Sequence, residues 1–236
     1  MQKKNWKKLD GLIGKCYLSM IGQYDDEHIW NKTFDKFIAC IQKEREVNVN
    51  FGIGLYRIDD ETDYICDISG WLEDFYDALD MDEDYERIVD VSNQLLELFS
   101  WEDESKSEVY HRKASALSRL GRHDEALRLC ESWYAKEADN PVAVASLIYS
   151  YMGNKDVKNA EKIVDDFYND SLVCTWKTEP FYAAATAVYK VNGNIEKYKM
   201  FEKAREEFDQ ELGKYLYGDY EEEYDNEFEG ELPFDF

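Results

Sequence analysis

The chain of 236 residues has 28 basic and 52 acidic side chains, a formal charge of −24, with 44% hydrophobic and 15% aromatic residues. That much apolar matter can bury a core, which excludes wholesale disorder, and so negative a field repels phosphates, which excludes direct DNA or RNA binding. No run approaches the roughly eighteen apolar residues of a membrane span, and five scattered cysteines without a Cys-x-x-Cys read as reduced thiols of a cytoplasmic protein.

In chain order, residues 1–22 open with five lysines, but Gly11, Gly14, Lys15 and Gly22 break the apolar part, so an amphipathic helix over 5–22 is expected rather than a secretion signal. Trp6, Leu9, Ile13 and Tyr17 share one side of it. A second helix is expected from about Glu27 to Glu46, where Ile29, Trp30, Phe34, Phe37, Ile38 and Ile41 recur at three and four residues, with Asp25 or Asp26 as N-cap. From Val47 the period changes. Val47, Val49, Phe51, Ile53 and Leu55 alternate as in a strand, and Asp59-Asp60-Glu61-Thr62 suits a hairpin turn. A short β-hairpin near 47–66 and an ordered loop pinned by Phe51, Leu55 and Tyr56 fit these residues equally well. Helical pairs are expected over 68–101 and again from Phe181 to about Leu212, with a turn at Asn192-Gly193-Asn194.

Between them lies the most informative pattern. Thirty-four residues beyond Ala126, Leu129, Cys130, Trp133 and Tyr134 stand Ala160, Ile163, Val164, Phe167 and Tyr168. The same step backwards meets Ser92, Leu95, Leu96 and Phe99. A small residue followed by apolar residues three, four and seven later marks one helix face, and its recurrence marks a helix-turn-helix solenoid. Gly121 suits a left-handed helix end, Ala126 allows close helix approach, and Asn140-Pro141 suits a helix start. On these residues, clearly over 107–171, the chain resembles the tetratricopeptide repeat family. Lys113 stands where that family favours leucine, and Gly153-Asn154 comes two residues early. The resemblance implies an all-α, TPR-like α-solenoid of antiparallel helix pairs over 68–212, with an irregular N-terminal cap over 1–67 and an acidic aromatic tail over 213–236.

Motifs for chemistry are missing. Asp80-x-Asp82-x-Asp84 lacks the glycine and the twelfth-position glutamate of a calcium loop, where Tyr85 and Val91 stand instead, and reads as a solvated turn with N-cap acids. Gly52-x-Gly54 lacks the rest of a dinucleotide fingerprint. His28, His111 and His123 have no zinc-spaced partner. No catalytic residue, metal or cofactor is assigned, and the chain is not expected to be an enzyme.

The resemblance implies a concave face formed by the first helices of the hairpins, which binds a peptide or helix of a partner protein. His111, Ser115, Arg119, Ala145, Tyr149, Ala183, Ala187 and Lys190 are placed there, the small ones leaving room for the ligand. Charge is uneven: residues 59–104 hold eighteen acids against Arg87 alone, and 206–236 hold thirteen against Lys214. The partner expected is therefore another protein, one with a basic surface, and in the tail Phe234 and Phe236 are the candidate contacts. Trp6 and Trp176 lie outside the repeat pattern and suit exposed anchors or a packed cap equally. The competing function is an acidic inhibitor or DNA mimic occupying a basic site on a nucleic-acid-binding partner.

Overall fold

A computed structural model describes residues 2–102 and 105–217. Among the described residues there are eleven helices and no strand: α1 (Lys3–Met20), α2 (Ile29–Arg45), the short α3 (Ile58–Glu61), α4 (Ile68–Met81), α5 (Tyr85–Leu98), α6 (Ser107–Arg119), α7 (His123–Tyr134), α8 (Pro141–Gly153), α9 (Val157–Phe167), α10 (Glu179–Asn192) and α11 (Ile195–Tyr217). None of the described helices is long and apolar enough to cross a membrane. The chain forms two compact units that divide between Cys130 and Glu131, inside α7. Trp6, Phe34 and Phe37 share one core with Trp71, Phe75 and Leu95.

In the first unit α1 pairs with α2, and α4, α5 and α6 pack in succession. The aromatic residues at helical spacing account for this. Phe34, Phe37, Trp71 and Phe75 are fully buried, and Trp71 stacks on Phe75 with centroids 5.6 Å apart. Each phenylalanine removed from water contributes about 1.5–3 kcal/mol. Several polar groups drawn into this core are paired: Glu44 accepts from the Trp6 indole at 3.2 Å, and Tyr76 and Ser92 bond at 3.0 Å.

The stretch 47–66 holds no strand; it is a run of turns interrupted by the short α3. Val47 and Val49 are 81% and 76% exposed, so the alternation buries no face there. Gly52 takes a positive φ of 55° and turns the chain inward over Ile41 and Ile58. The Arg45 guanidinium then donates to the carbonyls of Phe51 at 2.9 Å, Gly52, and Leu98 at 2.8 Å. Carbonyls held this way are not free for a strand ladder. Asp59 and Asp60, expected in a hairpin turn, lie in α3. Asp59 is buried and accepts from the backbone of Ile68 at 2.7 Å and the Ser69 hydroxyl at 2.8 Å, at the first turn of α4.

Three helix pairs close with one turn. Glu83, Gly121 and Lys155 adopt φ of 56°, 74° and 63° after α4, α6 and α8. The next residue donates back five positions in each case: Asp84 to Leu79, Arg122 to Leu117, Asp156 to Tyr151, at 2.9, 2.8 and 2.9 Å. This is the Schellman end of a helix, which satisfies orphan carbonyls. Asp84 and Asp156 also cap the following helix, accepting from Arg87 and Asn159. Asp84 thus serves as the helix cap expected of the acidic run.

In the second unit α8 packs on both α9 and α10, α9 on α10, and α10 on α11. Asn140 caps α8, accepting from Val142 at 3.0 Å, and Pro141 opens it. The positions read as equivalent have related burial: Ser92, Ala126 and Ala160 are fully buried, as are Cys130 and Val164.

Candidate functional site

A recess of the second unit arises from the segment between α9 and α10. Its course is held by short polar contacts. The Thr178 hydroxyl donates to the Val173 carbonyl at 2.7 Å and accepts from Thr175 N–H at 2.9 Å, while Tyr182 O–H donates to the Leu172 carbonyl at 2.6 Å. With its backbone satisfied in this way, the segment lays Leu172 and Cys174 beside Tyr182 of α10 and Met200 and Phe208 of α11. Between them is an open groove of about 500 Å³ with Glu207 and Glu211 on its edge. Its floor is Phe201, 1% exposed, stacked with Tyr189 at 5.7 Å and edge-on to Tyr182 at 5.5 Å. Trp176 stands beside the groove, edge-on to Phe208 at 5.6 Å yet 67% exposed, and Val173 is 64% exposed.

Burial shifts titratable groups that line the groove. Burial, helped by the nearby Glu179 carboxylate, pushes the Cys174 thiol up to about 11. At neutral pH it is a protonated, weakly polar lining group, not a nucleophile. The tyrosines follow the same rule: burial takes Tyr182 and Tyr189 up to about 12 each.

The residues expected on a concave face are placed less simply. His111 and Ser115 of α6 line a small cleft of about 310 Å³ in the first unit with Asp80, Ile88, Glu108 and Arg112. Burial pulls the His111 imidazole below its ordinary value. The cation there is already neutralised, since Arg112 pairs with Asp77 at 2.7 Å and Glu108 at 2.6 Å. Arg119 is exposed in the last turn of α6. In the second unit Ala145 is 1% exposed and offers no surface to a ligand, because α8 is covered by both α9 and α10. Tyr149 is 41% exposed, in the field of the Glu179–Arg205 ion pair, and burial raises its phenol. Ala183 and Ala187 are half-buried, and Lys190 is exposed. Phe234 and Phe236 lie outside the described residues. Of the two tryptophans left open, Trp6 is buried and Trp176 is the exposed one.

Sequence reasoning did not find the groove, although spacing held a signal. The turn residues 121 and 155 are thirty-four apart, whereas 155 and 193 are thirty-eight apart, and the extra length falls in the segment that walls the groove. Among the described residues no three His, Cys, Asp or Glu side chains are arranged to hold a metal ion. Set against family models, curated proteins and solved structures, the chain matches none of them.

Proposed function

We propose that the protein is a non-catalytic helical-repeat scaffold that holds a segment of a partner protein in the groove of its second unit. The observation that carries this is Trp176, two-thirds exposed next to an open recess of mixed apolar and acidic lining. Apolar surface left in water forfeits about 25 cal/mol per Å² of burial, which a covering partner restores. Tryptophan is also among the side chains that most often anchor interfaces. The repeated Schellman turns after α4, α6 and α8, the matched burial along α5, α7 and α9, and the packing of α8 on α10 support a TPR-like solenoid of antiparallel helix pairs. The ligand then lies against α10 and α11 rather than along Ala145.

Peptide display against the full chain tests this. Selected peptides should carry large apolar anchors, and their affinity should fall about tenfold or more in a W176S/M200S variant, which changes two exposed side chains. Selection of purely basic peptides without anchors, bound equally by the variant, would refute the groove and favour the acidic-mimic reading.

A further inference from the structure

A second recess lies wholly within the first unit. It is an open cleft of about 410 Å³ formed where the end of α1 and the turn into α2 meet the end of α4. The apolar lining comes from Met20, Trp30 and Met81, with Asp25, Glu27 and Asp82 among the acids around it. Trp30 is fixed in place, parallel to Phe75 at 6.1 Å and edge-on to Tyr17 at 6.0 Å, and the Tyr17 hydroxyl donates to Asp74 of α4 at 2.8 Å. The methionines are not fixed by burial. Met20 is 59% exposed and Met81 80%. Unbranched thioethers over a rigid aromatic floor make a surface that can adapt to differently shaped apolar groups.

The charge around this cleft is one-sided. Lys32 is occupied by both oxygens of Asp26, at 2.9 and 2.7 Å. Lys15 sits over the Tyr24 ring at 5.0 Å, and His28 lies 3.3 Å from Glu27. Among the described residues no cation pairs with the side chains of Asp25 or Asp82. The cleft therefore joins an apolar floor to carboxylates without counter-charges, which repels nucleic acid and anionic lipid and attracts a cation attached to an apolar group.

We propose that this cleft is a second docking site, distinct from the groove of the second unit, for a cationic amphipathic segment of a partner protein. One or two large apolar side chains enter between Met20, Trp30 and Met81, and flanking lysines or arginines meet Asp25, Glu27 and Asp82. The volume lies near the lower end of the roughly 300–1,000 Å³ typical of ligand pockets, so it takes anchors rather than a whole helix. A second copy of this chain is a poorer occupant, since two chains of −24 repel.

The test uses the full chain and a fluorescein-labelled amphipathic peptide of about fourteen lysines and leucines at helical spacing, read by anisotropy. Lysine–serine and glutamate–leucine peptides of equal length are the comparisons. The lysine–leucine peptide should bind best. Its affinity should fall about tenfold in M20S/M81S and in D25N/D82N, and stay unchanged in V47S/V49S, which alters two exposed valines outside both recesses. The methionine pair is decisive because it alters no charge: general attraction to the acidic chain would survive it. Equal binding of M20S/M81S and wild type overturns the proposal, as does equal binding of the lysine–serine peptide. A concentration-dependent dimer whose mass falls to that of one chain in M20S/M81S would replace the partner segment with a second copy, and also overturns it. Helical circular dichroism of each variant confirms that binding, not folding, has changed.

Discussion

Two substitutions of opposite sign test whether the turns after α6 and α8 are one device. Gly121 and Lys155 hold the same left-handed position, with φ of 74° and 63°. An added Cβ at Gly121 meets nothing within 4 Å, so Gly121→Ala introduces no clash and its whole cost is backbone strain. An L-residue in this region costs about 1–2 kcal/mol, and alanine returns about 0.5–1 kcal/mol by reducing the freedom of the unfolded chain. Gly121→Ala should therefore destabilise by about 0.5–1 kcal/mol. Lys155 already bears that strain, and its side chain is exposed, so Lys155→Gly should stabilise by a similar amount. With a urea slope of about 2 kcal/mol/M, each change moves the midpoint by about 0.25–0.5 M, in opposite directions. Hydrogen exchange localises the effect: protection of the Arg122 amide should fall in the first variant and that of Asp156 rise in the second, since these amides close the turns. Shifts of the same sign, or no shift at either amide, would refute the equivalence.

Three further outcomes follow from individual contacts. Arg45→Met strands the carbonyls of Phe51, Gly52 and Leu98 and should cost about 3 kcal/mol in urea unfolding, at about 1 kcal/mol for each unmade bond; Arg45→Lys should restore only part, lacking the guanidinium fork. His111, held below its ordinary value by burial, keeps the fold at full stability above about pH 6.5, and stability should fall as pH drops through that value towards the lower folded one. His111→Gln should flatten that part of the melting-temperature profile. At Asp165 burial pulls the carboxyl upward, but hydrogen bonds from Lys197 at 2.7 Å and Tyr189 at 2.8 Å outweigh it and leave it below the ordinary range. Its stabilisation is therefore present above about pH 4 and lost as pH falls below, and a thermal melt of Asp165→Asn should lose that acid limb.

What could be read from residues alone was the helical character of the segments with regular apolar spacing. A small residue with apolar partners three, four and seven later can bury only as a helix face, and Ser92, Ala126 and Ala160 are all fully buried. The segment 47–66 was not legible in the same way. Its alternation looks like a strand locally, while the carbonyls of its first half are claimed by Arg45, and the same guanidinium ties them to Leu98, far along the chain. Ala145 was ambiguous for a related reason: a small side chain leaves space on an open face, but equally lets another helix approach, and α8 has helices on two sides. Trp176 depended wholly on tertiary placement. Its exposure comes from where a loop stops, not from any periodic signal.

The acidic block 59–104 bears on which kind of partner the protein takes. Much of its charge is committed to the fold. Asp59 supports the start of α4, Asp67 and Asp84 cap α4 and α5, Asp74 holds Tyr17, Asp77 pairs with Arg112, and Glu86 pairs with Arg122 at 3.3 Å. A duplex mimic instead needs carboxylates free and ordered along one face at phosphate-like intervals, and helix starts distribute them by the needs of capping. Two carboxylates left without counter-charges, Asp25 and Asp82, stand beside apolar floor. At physiological salt such exposed charges act over only about 8 Å, so they orient a ligand already close by and cannot supply the affinity alone. On the proposed reading, raising salt should weaken capture of a partner without abolishing it, because the apolar anchors are unscreened. Binding that vanishes with salt would return the argument to mimicry.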